Sequence, residues 1–163
     1  MRRRGHILKD EFIKTDKARE LFKPDVSIRS ANEDDHGFIL NSWLKSYYDT
    51  AEISPRISRE IFFKNEGKII ENLLRTELVK IICNPFDETH IYGYACFNDT
   101  PCTLHYVYIK QPFRKMGLAN SLLRDYLESE DVIVSYSTSR IKRFGKHYNF
   151  KYNPYVRMGR NEM

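Results

Sequence analysis

The sequence predicts an α/β (α+β) protein: a mixed central sheet flanked by helices, in the order β-α-α-β-β-β-α-β-α-β. Three observations predict it. Short runs rich in β-branched and aromatic residues, such as His90–Phe97 and Leu104–Ile109, alternate with segments of helical apolar spacing. The stretch Leu104–Leu127 runs from strand through a tight turn into a leucine-periodic helix. Val132–Tyr136 then leaves that helix as a further strand, an order that sets it parallel to its neighbour, since parallel strands need a crossover. With 163 residues, 41% hydrophobic and 30% charged, the chain suits one domain with a real core.

Each element has its local reason. Residues 1–24 read as a polar, basic arm, with a short amphipathic helix around Asp10–Phe22 stopped by Pro24. The domain proper spans residues 25–163. Val26–Arg29 is a first strand, Ser30–Asp35 a turn of helix-starting residues, and Phe38–Tyr48 a helix. Pro55 suits the first turn of a second helix, expected over Arg56–Arg75 with a break near Gly67. Glu77–Cys83, His90–Phe97 and Thr103–Ile109 are strands, separated by turns at Asn84–Glu88 and Asn98–Pro101. Leu118–Glu128 is a helix and Ser139–His147 a basic one. The tail, residues 148–159, supplies one or two short strands.

The turn before Leu118 carries the chemistry. It reads Arg114-Lys115-Met116-Gly117-Leu118-Ala119. Backbone N–H groups at such a turn and at the first helical residues converge on one spot, and the helix dipole adds partial positive charge there. Gly117 lets the chain bend and a ligand approach closely. This is a cradle for a pyrophosphate. It lacks the Gly-Lys-Ser/Thr of a P-loop and the three glycines of a dinucleotide fingerprint.

The spacing Arg-x-x-Gly-x-Ala after a strand resembles the acetyl-coenzyme A loop of the GNAT acyltransferase superfamily. The opening Arg29-x-Ala31-x-x-x-Asp35 and the element order over roughly residues 25–160 resemble it too. The resemblance implies acetyl-coenzyme A as acyl donor, no metal, and transfer of the acetyl group to an amine by direct attack on the thioester. It implies that backbone groups of Val107 and Ile109 hold the pantetheine. Arg114, Lys115, Met116, Gly117, Leu118, Ala119 and Asn120 would surround the pyrophosphate.

The acid and base are less legible. The family's usual tyrosine position falls on Gly145, and the strand Thr103–Ile109 holds no carboxylate. His105, expected on one strand face with Thr103 and Val107, is the candidate base, since imidazole titrates near neutrality. Tyr148, one turn beyond Gly145, is the candidate acid. Tyr92, Tyr94 and Tyr106 are expected in the core.

Charge leaves a second reading open. The last 26 residues hold seven Lys/Arg against one Asp/Glu, whereas residues 25–137 hold twelve against seventeen. A repurposed fold of this kind could bind nucleic acid or an acidic protein through that tail, or modify a nucleobase. Three cysteines without a CxxC pair favour reduced thiols over disulfides or zinc, and with no apolar leader or span the expected place is the cytoplasm, away from membrane. The acceptor amine could be a small molecule, a protein or a nucleobase. A homodimer is compatible with everything above.

Overall fold

The computed structural model describes residues 23–127 and 131–158. The helix expected around Asp10–Phe22 lies outside the described residues. Six strands form one sheet in simple sequence order: β1 (Ser27–Ser30), β2 (Leu78–Asn84), β3 (Asp87–Asp99), β4 (Cys102–Ile109), β5 (Val132–Val134) and β6 (Phe150–Tyr152). β1 to β4 pair antiparallel; β4–β5 and β5–β6 pair parallel. The expected order of elements and the parallel setting of β5 are both found.

Helix boundaries differ from expectation where caps decide them. α1 spans Glu33–Thr50 and so starts five residues before Phe38. The Asn32 side chain accepts from Asp34 N, and the Asp35 carboxylate accepts from Asn32 N. This reciprocal cap satisfies two end groups, and Glu33, Asp34 and Asp35 sit favourably at the positive end of the helix. Arg29 clamps Asp35 through its two terminal guanidinium nitrogens, at 2.7 and 2.9 Å, which ties β1 to α1 and holds the carboxyl below its ordinary pKa.

Pro55 lies in a single 3-10 turn (Ser54–Arg56), and α2 begins later, at Arg59, capped by the Ser58 hydroxyl. α2 then runs unbroken to Thr76. Gly67 does not interrupt it, because there it is buried against Leu44 of α1, where a small residue suits close helix packing. α3 (Leu118–Leu123) and α4 (Ser139–Phe144) are shorter than expected; the second passes into a 3-10 turn over Gly145–His147.

The sheet separates two cores. α1 and α2 cover one face, burying Ile39, Trp43, Ile70 and Leu73 against Ile81, Tyr94 and Tyr106. α3 and α4 cover the other, burying Leu118, Leu122, Leu123 and Ile141 against Leu104, Val132 and Val134. Each fully buried aliphatic side chain contributes about 1.5–3 kcal/mol. Gly93 matters to the site that follows. A Cβ there would stand 2.3 Å from the Tyr108 carbonyl, so only glycine lets β3 lie this close to the end of β4.

Candidate functional site

The sheet has a seam. β4 and β5 pair only at Thr103↔Ile133 and Leu104↔Val134, with one further bond from Ser135 N to Leu104 O. Beyond this point β4 continues to Ile109 with no β5 partner. Lys110 N donates to Tyr92 O, so residue 110 faces β3. By alternation, the backbone groups of Ile109 and Val107 point away from β3, into the opening. A cavity of about 360 Å³ fills it.

Of the nine residues expected to hold a coenzyme, eight line this cavity: Val107, Ile109, Arg114, Lys115, Gly117, Leu118, Ala119 and Asn120. Met116 does not line it; its side chain packs into the core beneath α3. The turn explains the convergence. Lys115 has φ 63° and Gly117 φ 75°, both left-handed, on either side of Met116. Alternation of this kind curls successive N–H groups toward one concavity. Ser121 N is the first to bond back, to Gly117 O, so the N–H groups of Leu118, Ala119 and Asn120 have no acceptor within the helix. A Cβ on Gly117 would meet nothing within 4 Å, so its backbone hand, not crowding, demands glycine.

Arg114 closes the end of β4. Its Nε donates to Ile109 O at 2.8 Å, and its guanidinium stands 5.9 Å from the centre of the Tyr108 ring. Burial, with the like charge of Arg140 added, draws its pKa below the ordinary value. Tyr108, Arg114 and Arg140 line the cavity and also a second chamber of about 440 Å³. The chamber's far wall is one face of α1: Phe38, Asn41, Ser42, Lys45, Ser46 and Asp49. The two spaces therefore meet at Tyr108, which is half-buried.

The two candidate catalytic residues are not brought to this junction. Strand β4 carries one extra residue opposite β3: Cys96 faces Tyr106 and Phe97 faces Leu104, leaving His105 as the bulge. The bulge corrects the expected strand face. Val107 packs toward α3, while His105 lies beside Glu77 at the end of α2. His105 is 2% exposed and its Nδ1 bonds Ser135 Oγ at 2.8 Å. Burial, helped by the positive charge of Arg157, pushes its pKa down to about 4, so it is neutral at pH 7. Tyr148 stacks between Phe144 and Phe150, one ring behind the cavity wall. Tyr92, Tyr94 and Tyr106 are core residues as expected.

Sequence reasoning missed Tyr108, Arg140 and the polar face of α1. The signal was present as Phe38-x-x-Asn41-Ser42-x-x-Lys45-Ser46-x-x-Asp49, a polar stripe at helical spacing. A stripe of that kind also fits a plain solvated face, and nothing local separates the two. Among the described residues, no helix is long and apolar enough to cross a membrane, and no group of three metal-ligating side chains stands together.

No protein-family profile and no curated protein matches the chain. Solved structures do. A candidate acetyl transferase from Pyrococcus furiosus superposes with TM-score 0.58 at 15% identity, over 76% of this chain and 91% of the other. A possible acetyltransferase from Clostridium difficile 630 gives 0.53 at 16%, over 78% and 93%. A GCN5-related N-acetyltransferase from Rhodopseudomonas palustris gives 0.53 at 11%, over 74% and 79%. The chain has the GNAT fold.

Proposed function

We propose that this protein is an acyl-coenzyme A-dependent N-acyltransferase. One observation carries the reading: the opening between β4 and β5, floored by the Arg114–Asn120 turn, joins a second chamber at Tyr108. A transferase of this type needs two adjoining sites, one for each reactant.

The residues fit coenzyme A. The outward backbone groups of Val107 and the N–H of Ile109 offer the pantetheine amides a strand edge; the Ile109 carbonyl already accepts from Arg114 Nε. The free N–H groups of Leu118, Ala119 and Asn120, with Arg114 and Lys115, offer the pyrophosphate several donors. The coenzyme supplies an acyl group held as a reactive thioester. In the reaction, the acceptor nitrogen bonds to the acyl carbon and the carbon–sulfur bond breaks. The nitrogen gives up its ammonium proton to water before attack and a second proton to water as the amide forms, and the sulfur gains one. Tyr108, bordering both spaces, is the proposed proton donor to sulfur. His105 takes a positioning role: with Ser135 it ties β4 to β5 where the strands part. Tyr148 backs the cleft wall through Phe144.

Titration calorimetry with acetyl-coenzyme A and with desulfo-coenzyme A tests the reading. Micromolar binding of both is expected, and no binding of either rejects it. The alternative, a tail that binds nucleic acid or an acidic protein, draws less support. Three of the tail's cations are engaged within the chain: Lys142 with Glu52, Lys151 with Asp131 and Arg157 with Glu66.

A further inference from the structure

The chemistry of the second chamber points to one class of acceptor. On α1, Asn41, Lys45 and Asp49 recur every fourth residue and form one line along its wall. Ser42 and Ser46, beside them, are already used: their hydroxyls bond those of Tyr94 and Tyr106 at 2.9 and 2.7 Å. Arg114 and Arg140 close the opposite side. The chamber thus holds three cations, Lys45, Arg114 and Arg140, and one carboxylate, Asp49.

These charges are unspent. Among the described residues, Lys45, Asp49 and Arg140 make no ion pair. The contrast with the rest of the chain is instructive. Arg29 and Arg157, both partly buried, are matched by carboxylates: Arg29 by Asp35 at 2.7 Å, and Arg157 by Glu66 at 3.3 Å. Arg114, half-buried, and Arg140, exposed at the rim, share a chamber whose one acid, Asp49, pairs with neither among the described residues. Two like charges at one site repel, and an anion shared between them removes the penalty.

Resting on the acyltransferase reading, we infer that the acceptor is a small primary amine that carries its own anionic group, a carboxylate or a phosphate. The anion would sit between Arg140 and Lys45, which border the chamber from its two sides. The amine, as it enters protonated, would sit with Asp49. A plain alkylamine or a polyamine brings only positive charge into a chamber whose formal balance is already positive, and this arrangement disfavours it.

The test uses the full chain with acetyl-coenzyme A and paired acceptors, with product read by mass spectrometry. L-amino acids are compared with their amides, and O-phosphoethanolamine with ethanolamine. These arms also separate a carboxylate from a phosphate acceptor. In at least one pair, the anionic member is expected to show kcat/KM about tenfold or more above its neutral partner. Lys45→Gln, at a residue that lines the second chamber and not the coenzyme cavity, should lower that value about tenfold. It should leave the neutral member and the coenzyme Kd within about threefold, well inside one charge-assisted bond. Preference for the neutral members overturns the inference. So does an equal loss for both members in Lys45→Gln, or a tenfold loss of its coenzyme affinity, which would assign that lysine to the coenzyme. If coenzyme A binds and no amine of either kind is acylated, the inference falls and the coenzyme site stands. If coenzyme A does not bind, both fall.

Discussion

The two halves of the sheet are built differently. β1 to β4 are antiparallel, and β3 alone runs 13 residues. β5 and β6 are three residues each and parallel. The first half is a frame with long ladders and a large aromatic core. The second is barely long enough to close the fold, and its shortness leaves the end of β4 without a partner. A ligand-sized opening results from a strand that stops early. Tyr106 and Tyr108 show the consequence within one strand face. Tyr106 is buried under α1, its hydroxyl bonded to Ser46 and its pKa pushed up to about 12 by burial. Tyr108, two residues on, stands at the junction of both cavities.

Breaking the frame should have the largest effect. Trp43 is fully buried and stacks on Tyr106 with ring centres 4.7 Å apart. Trp43→Ala should cost about 3–5 kcal/mol in denaturant unfolding. A cost under about 1 kcal/mol, the size of an ordinary surface change, would mean that the antiparallel half is not the frame.

The seam should show itself in pH dependence. His105 titrates at about 4 in the folded chain against 6.5 ordinarily. In that interval the unfolded chain binds more protons, so stability falls as pH drops from 6.5 toward 4. The full shift corresponds to about 3 kcal/mol. His105→Gln should flatten the difference between unfolding free energies measured at pH 7 and pH 5. A slope equal to that of the native chain would show that His105 is not held neutral at the seam.

Gly117→Asp should weaken coenzyme A binding about a hundredfold, or about 2.7 kcal/mol. It places a negative charge and a left-handed non-glycine residue at the turn. Melting temperature should fall by only a few degrees: the added side chain meets open space, but a non-glycine residue in the left-handed region costs about 1–2 kcal/mol. Titration with native affinity would remove this turn from the site.

The tyrosine pair gives the smallest and sharpest contrast. Tyr108→Phe should lower kcat about tenfold or more and leave melting unchanged. Tyr106→Phe should lower stability by about 1 kcal/mol and leave kcat unchanged. The opposite pattern would exchange their roles.

Much of this was legible in local signals. Apolar period placed β1 to β5 to within a few residues, and of the nine residues expected from the Arg-x-x-Gly-x-Ala turn and the strand before it, eight are among the thirteen that line the cavity. Helix starts were less legible, because Asn32 and Ser58 cap from outside the apolar pattern. His105 was misplaced for a different reason. A bulge arises from how β3 and β4 register over their whole length, and one extra residue moves a side chain to other neighbours.

The sequence by itself determined the order of the elements and the glycine turn before α3, because period, glycine and caps act over a few residues. Only the tertiary structure decided where β4 and β5 part, that His105 is sealed beside Ser135, and that Lys45, Asp49, Arg114 and Arg140 share one chamber. Those four residues lie up to 95 positions apart in the chain. Their meeting depends on how α1 and α4 seat against a common sheet, and no local pattern encodes that distance.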